Sequence, residues 1–283
     1  MEITSIITGK RGVSLPFTDY CEPIGSGTTQ FPDMFKAAIA VGKKQNWKYL
    51  ELRGGETFFQ NVEPSEFYYG HALDLTQGPR TIFYNLRDST RRHIKKAKKE
   101  NLKTFITTSL ESLNEFCRLN ALTRKNHGLP PQPYPFFQSI YDHIISKKLG
   151  FIALIFSHNT AIAGNIYFHF GDEVIYKYGA SDRTYQRLRA NNLIIWEAIK
   201  WSYGRGYKRF FFGRTEPDNR GLRQFKAGWG TREYLIKYYK YDLQKDIFIK
   251  DNRKINPMGI KLLKLLPSPA LALLGKVFYR HMG

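Results

Sequence analysis

Apolar and polar positions along this chain switch between a helical and an extended period, and the switches mark out its elements. In residues 31–45, FPDMFKAAIAVGKKQ, one side of a helix carries Phe35, Ala38, Ile39 and Val41. Runs rich in β-branched and aromatic residues predict strands over 48–54 and 67–75, and residues 5–17 read as a strand entering a proline turn. A helix is expected over 88–101 with Asp88 or Ser89 as its N-cap, then a strand over 102–108. A helix over 110–126 should end at Gly128 and the pair Pro130-Pro131, followed by another over 134–149. Three apolar runs, 150–157, 161–170 and 173–180, are joined by His158-Asn159-Thr160 and Gly171-Asp172, connectors short enough for antiparallel hairpins. A helix over 191–204, a strand over 208–213 and a long strand over 234–243 complete the pattern.

From about residue 89 this order is helix, strand, two helices, three antiparallel strands, helix, strand, loop, strand. It is the order of an acetyltransferase-type α/β unit, a mixed sheet splayed near its middle with helices on both faces. Residues 1–80 carry only part of such a unit. The expected organisation is therefore a partial N-terminal domain over 1–80, a complete C-terminal domain over 81–250 and an amphipathic helical tail over 251–283. The polar stretch Thr76–Arg80 marks the first boundary.

Composition adds the kind of partner. The 283 residues are 42% hydrophobic and 15% aromatic, enough for a sizeable core and too apolar for a disordered chain. Lys and Arg number 44 against 24 Asp and Glu, a formal charge of +20 that points to nucleic acid, anionic lipid or phosphorylated substrates. Cys21 and Cys117 stand far apart, which excludes a disulfide framework, and the seven histidines show no metal-ligand spacing. No metal is expected, and a reducing compartment fits best. The N-terminus lacks a signal-peptide core, and LLPSPALALLGKVF, broken by Pro267 and Pro269, is too short to span a bilayer. The expectation is a cytoplasmic protein whose lysine-bearing tail either packs back on the body or lies on the anionic inner face of the plasma membrane.

The chemistry concentrates between Tyr176 and Gly230. A strand ends at Ala180, an arginine-rich loop with Arg183, Arg187 and Arg189 follows, and Asn191 and Asn192 open a helix. Free N–H groups and the positive dipole end of a helix favour phosphate, and arginines add bidentate donors. The next strand delivers Arg214 at its edge, and the loop beyond leads to Phe225, Lys226 and Trp229. A cation beside aromatics at an open sheet edge suits an anionic group, whereas Phe225 and Trp229 equally suit a core. Tyr176, Tyr178 and Asp182 are candidates for acid-base help, and backbone N–H groups near Tyr178–Ala180 for an oxyanion site. No nucleophile elbow occurs. GSGTTQ (25–30) reads as a turn before it reads as a phosphate loop. The basic run RRHIKKAKKENLK (91–103) sets like charges four apart, as at Arg92 and Lys96, which a bound polyanion would relieve.

The ordered set LELR (50–53), RRHIKKAKKENL (91–102), YGASD (178–182), ANNLIIWEAI (190–199), FGR (212–214) and GLRQFKAGWG (221–230) resembles FemAB-like transferases of the GNAT acetyltransferase superfamily. SLPF (14–17) and the C-terminal tail are similar too, closest to the branch associated with exopolysaccharide systems. The resemblance implies two GNAT-like units, the first incomplete here because SLPF normally follows further strands. It implies an acyl- or aminoacyltransferase acting on a lipid- or nucleotide-linked peptidoglycan or exopolysaccharide precursor. No tightly bound cofactor is implied; the donor is aminoacyl-tRNA or acyl-CoA. Phe225 and Lys226 match the pair that contacts the tRNA end. Lys226, Arg214 and Tyr178 are then the catalytic candidates. Arg183, Arg187, Arg189, Asn191, Asn192, Phe225, Trp229, Arg92 and Lys96 are the binding candidates. Where relatives carry Asp, this chain has Phe211, which removes a candidate base. A non-enzymatic nucleic-acid- or membrane-binding protein on a degenerate transferase fold is the competing expectation.

Overall fold

A serine splits the first apolar stretch into two strands. A computed structural model describes residues 1–25, 30–250 and 263–281. Strands β1 (Glu2–Ser5) and β2 (Gly9–Val13) form a hairpin where the sequence reads as one strand. The Ser5 hydroxyl closes the turn by accepting the N–H groups of Ile7 and Thr8. Most of GSGTTQ lies outside the described residues.

Helix α1 (Phe31–Lys44) opens with Pro32 in its first turn, where a missing N–H is harmless. It packs Phe31 and Phe35 against Phe58, Phe59 and Phe248, an aromatic cluster over β3 (Tyr49–Arg53). Strand β4 (Glu66–Asp74) follows. Helix α2 (Gly78–Asn85) then occupies the stretch expected as a boundary. Its Pro79 sits in the first turn, and Ile82 and Leu86 beyond it are buried. Helix α3 (Asp88–Lys99) buries Thr90, Ile94 and Ala97 and turns its lysines outward. No side chain caps it, so neither Asp88 nor Ser89 serves as the expected N-cap.

Strand β5 (Lys103–Thr107) leads into α4 (Leu110–His127), which is capped by Ser109 through Ser112 N–H and stopped by Gly128 in the left-handed region. Helix α5 (Tyr134–Ile140) runs on as a π turn (Tyr141–Ile145). The meander β6 (Gly150–Ser157), β7 (Thr160–Phe170) and β8 (Glu173–Ser181) forms as the short connectors require. Helix α6 (Ala190–Gly204) buries residues on nearly all its faces, as a helix wedged between layers must. Strand β9 (Arg209–Phe211), helix α7 (Arg220–Ala227), strands β10 (Arg232–Asp242) and β11 (Ile247–Ile249), and helix α8 (Ser268–Phe278) complete the described elements.

The strands share one sheet in the order β1-β2-β3-β10-β4-β9-β8-β7-β6-β5, with β11 beside β10. Strands from the first eighty residues therefore lie in the same sheet as the rest. β10 is the joint: Arg232–Tyr238 pair with β4, and Tyr238–Asp242 pair with β3. Over β5–β9 the sheet is covered on both sides. Leu193–Ile199 of α6 with Ile82 and Ile94 fill one face, and Leu113, Phe116, Leu119 and Phe137 of α4 and α5 the other. The tail region 251–262 lies outside the described residues; the remainder of the tail carries α8.

Candidate active site

Strands β8 and β9 run in parallel only over Glu173–Ile175 and Arg209–Phe211. Beyond these pairs they part. The chain after β9 bridges Thr215 to Tyr69 of β4, while β8 stays with β7 as far as Ser181. The result is a wedge-shaped opening in the middle of the sheet. A β-bulge lies at its edge: the register jumps from Tyr167↔Tyr176 to Ile166↔Tyr178, leaving Lys177 unpaired. The Lys177 ammonium sits 3.6 Å from the carboxylate of Asp19.

Asp19 comes from the segment between β2 and α1, which straps across the parting. Arg53 of β3 holds the strap, donating from Nη1 to the carbonyl of Thr18 at 3.0 Å, and Tyr238 donates to the carbonyl of Asp19 at 2.8 Å. The Asp19 carboxylate accepts the backbone N–H of Arg214 at 3.2 Å. The adjoining Gly213 has φ 69°, and a Cβ there would stand 3.0 Å from Asp19 Oδ2. Strap and strand thus meet at a position only glycine fills without strain. The Arg214 guanidinium donates to Tyr238 Oη at 2.8 Å and lies 4.2 Å over the Tyr68 ring. Among the described residues it forms no salt bridge; its charge lies beside the Tyr68 and Tyr238 rings and the Tyr238 hydroxyl, with the Asp19 carboxylate acting on it from further off.

Helix α7 carries the fourth charge. Asn219 caps it by accepting Leu222 N–H at 3.1 Å, which sets Lys226 on the inner face. Lys226 is 4% exposed, and its Nζ donates to the carbonyls of Gly213 at 3.0 Å and Arg214 at 2.9 Å. Burial pushes its pKa down from 10.5 to about 8, against the pull of Asp19 and Glu216. His71, fully buried behind it, is held toward its neutral form by burial and then by the Lys226 charge. The wedge therefore brings together three cations, Lys177, Arg214 and Lys226, and one carboxylate, Asp19.

A second feature opens at the N-terminus of α6. Arg189, with φ 59°, precedes the helix, and no side chain caps it. The cleft there is about 260 Å³ and is lined by Ser181, Asp182, Arg189, Asn191, Asn192 and Phe225, with His93 of α3. Arg189 Nε is buried without a hydrogen-bond partner among the described residues. Burial, and then the charge of Arg189, lowers the pKa of His93. Phe225 and Lys226 are consecutive, so α7 presents one side chain to the cleft and the next to the wedge.

The sequence-derived candidates divide accordingly. Lys226 and Arg214 lie at the wedge, and Arg189, Asn191, Asn192 and Phe225 line the cleft. Tyr178 lies on β8 packed edge-on against Phe136 and Phe137, and burial raises its pKa. Arg183 and Arg187 are exposed on the 3-10 turn Arg183–Leu188 and do not line the cleft. Trp229 is fully buried against Phe212 and Phe225 and presents no surface to a ligand, which is the core outcome. Arg92 lines a separate groove with Arg80, Tyr84, Arg91 and Lys95, and Lys96 is exposed on the same helix. Tyr176 is wedged between Tyr167 and Phe212, and Asp182 caps the 3-10 turn through Thr184. Sequence reasoning missed Asp19, Lys177, Arg53, Tyr68, Tyr238 and His93. The local signals were that Asp19 follows SLPF, Arg53 ends LELR and His93 lies within RRHIKKAKKENL.

A mixed sheet that parts beside an uncapped helix N-terminus defines an acetyltransferase-type protein. The family model for the acetyltransferase (GNAT) domain matches residues 85–234, more than half the chain, and the protein belongs to that family. Among solved structures it is similar to FemX, with a TM-score of 0.65 and 15% identity over 82% of each chain. It is also similar to the C-terminal domain of a putative lysylphosphatidylglycerol synthetase from Agrobacterium fabrum, with a TM-score of 0.58 and 12% identity over 92% of this chain and 81% of that one. For L-PGS from Bacillus licheniformis the TM-score is 0.53, at 14% identity over 83% and 78%. At these identities the likeness is one of fold, and at that level the resemblance to FemAB-like transferases holds. No curated protein sequence matches.

Proposed function

We propose that this protein moves an acyl or aminoacyl group from an activated donor to an amine or hydroxyl of an anionic cell-envelope or exopolysaccharide precursor. The observation that carries this reading is the wedge, where Asp19, Lys177, Arg214 and Lys226 converge from four separate stretches of chain on the gap between β8 and β9. Three cations around one carboxylate favour an anionic acceptor and a negatively charged transition state. The cleft at α6 suits the phosphate of the donor, either aminoacyl-tRNA or acyl-CoA, with Arg189 and the helix N-terminus as its partners. Arg183 and Arg187 on the adjacent turn, and Arg92 and Lys96 on α3, extend this basic surface outward.

In the proposed reaction the acceptor nitrogen or oxygen attacks the donor carbonyl. A C–N or C–O bond forms, and the ester C–O or thioester C–S bond of the donor breaks. Lys226 and free N–H groups of β8 past Ile175 stabilise the oxyanion, with Tyr178 at the edge. Asp19 takes the proton of the nucleophile, and the leaving oxygen or sulfur finally receives it. A carboxylate from the strap thereby replaces the one absent at Phe211. Residues 1–80 then form a partial first GNAT-like unit completed by β10, and the enzyme works at the inner face of the membrane.

Purified protein supplied with each donor, with and without ribonuclease, separates the two donors. Arg214→Ala and Lys226→Ala are expected to abolish transfer while circular dichroism stays native. Full activity in both variants overturns the site.

A further inference from the structure

Helix α8 has two faces. Leu271 and Gly275 face inward and are buried, and Gly275 lies so close to the Pro131 carbonyl that a Cβ would stand 2.1 Å from that oxygen. Tyr279, just beyond the helix, stacks on Phe17 of the strap and meets Phe136 edge-on. The outer face is apolar and open: Leu273 is 64% exposed, Val277 follows four residues on, and Leu265 before the helix is 81% exposed. Lys264 and Lys276 flank these positions, and Leu263–His281 contains no acidic residue.

The β1–β2 turn adjoins the C-terminal end of this helix. Buried Arg11 bridges the two, donating to Thr8 Oγ1 at 2.6 Å and to the His281 carbonyl at 3.2 Å. The turn holds Ile6 88% exposed and Ile7 56% exposed, with Lys10 on the strand behind. Two isoleucines at the tip of a hydrogen-bonded turn gain nothing from the core.

We propose that the outer face of α8 and the β1–β2 turn together form a docking surface for an anionic lipid bilayer. Apolar side chains ringed by lysines match the acyl boundary and headgroups of such a surface. A second copy of the chain fits poorly, because a two-fold contact would set these lysines against one another with no acid on α8 to pair them, in a protein of charge +20. Eleven helical residues reach only about 16 Å, half of a bilayer core, so the helix lies on the membrane. Among the described residues no helix is long and apolar enough to cross one. This deepens the membrane-facing part of the proposed function, but its test is blind to catalysis.

The full chain is sedimented with vesicles of phosphatidylglycerol and phosphatidylcholine in equal parts, and with phosphatidylcholine alone. Binding is expected to the first and not the second. Leu273→Ser with Val277→Ser, and separately Ile6→Ser with Ile7→Ser, should each weaken it about tenfold or more, and Lys276→Gln about fivefold, with unchanged melting temperatures. No sedimentation of the wild-type chain, or double variants that both sediment as well as wild type, overturns the proposal. So does light scattering that shows a dimer dissolved by the same substitutions. A protein that binds vesicles but transfers nothing leaves this surface standing and sinks the transferase reading; an active protein that ignores vesicles does the reverse.

Discussion

Replacing Lys226 by Met tests how the wedge holds its charge. The ammonium is buried against two carbonyls, and its pKa falls from 10.5 to about 8. Below pH 8 both the folded and unfolded chains carry the proton, and the folded state bears the full penalty of burying the charge. Between about pH 8 and 10.5 the unfolded chain holds a proton that the folded chain has released, so stability rises with pH across that window and levels off above it. A displacement of this size corresponds to about 3 kcal/mol. The Met variant lacks this titration. It leaves the half-buried carbonyls of Gly213 and Arg214 without this donor, a loss of up to about 1–3 kcal/mol each. Urea unfolding of both proteins from pH 7 to 10.5 isolates the effect, because every other group titrates in both. The stability difference between wild type and variant should widen by about 3 kcal/mol in favour of wild type across that range. Parallel curves would falsify the depressed pKa, and with it the claim that burial controls this lysine. In the transfer assay, the rate should fall above about pH 8 if the cation is what stabilises the oxyanion, and Lys226→Arg should remove that limb.

Two further outcomes follow from the strap. Asp19→Asn preserves a hydrogen-bond acceptor for Arg214 N–H but no base; kcat should drop about 10²–10⁴-fold with KM little changed, and Asp19→Glu should restore part of it. An unchanged kcat would leave Asp19 as a fastener of the strap only. Gly213→Ala forces a side chain into a left-handed position against Asp19 Oδ2, and should cost about 1–2 kcal/mol, read as a melting temperature lowered by a few degrees. An unaltered melting curve would show that the strap yields freely.

Much of the fold is legible in the sequence because its signals are local. The meander of β6, β7 and β8 follows from three apolar runs and two short connectors, and α4 from Ser109 and Gly128. Arg214, Lys226 and Phe225 were reached through family motifs, and the phosphate reading of α6 through its position after an arginine-rich loop. What escaped was non-local or lacked a local signature. Asp19 meets Arg214 across 195 positions, and nothing near either residue announces the other. Helix α2 hides behind Gly78 and Pro79, which read as a linker but serve as its first turn. Helix α7 is only eight residues long and mostly polar, so the single Leu222–Phe225 spacing is too short a run to announce it. Trp229 suited core and site equally, and only the packing of Phe212 and Phe225 around it decides for the core.

The placement of β10 sets a timetable for the newborn chain. β3 and β4 share no ladder with each other, because the strand that joins them is made long after both. A ribosome adding 5–20 residues per second needs roughly 10–30 s to travel from the end of β4 to β10. For that interval the inner edges of both strands stand open, and before it ends the meander and α6 are already made. Such edges invite pairing with other chains. Productive synthesis therefore depends on keeping the first eighty residues shielded until Arg232–Asp242 emerges and fills the slot between them.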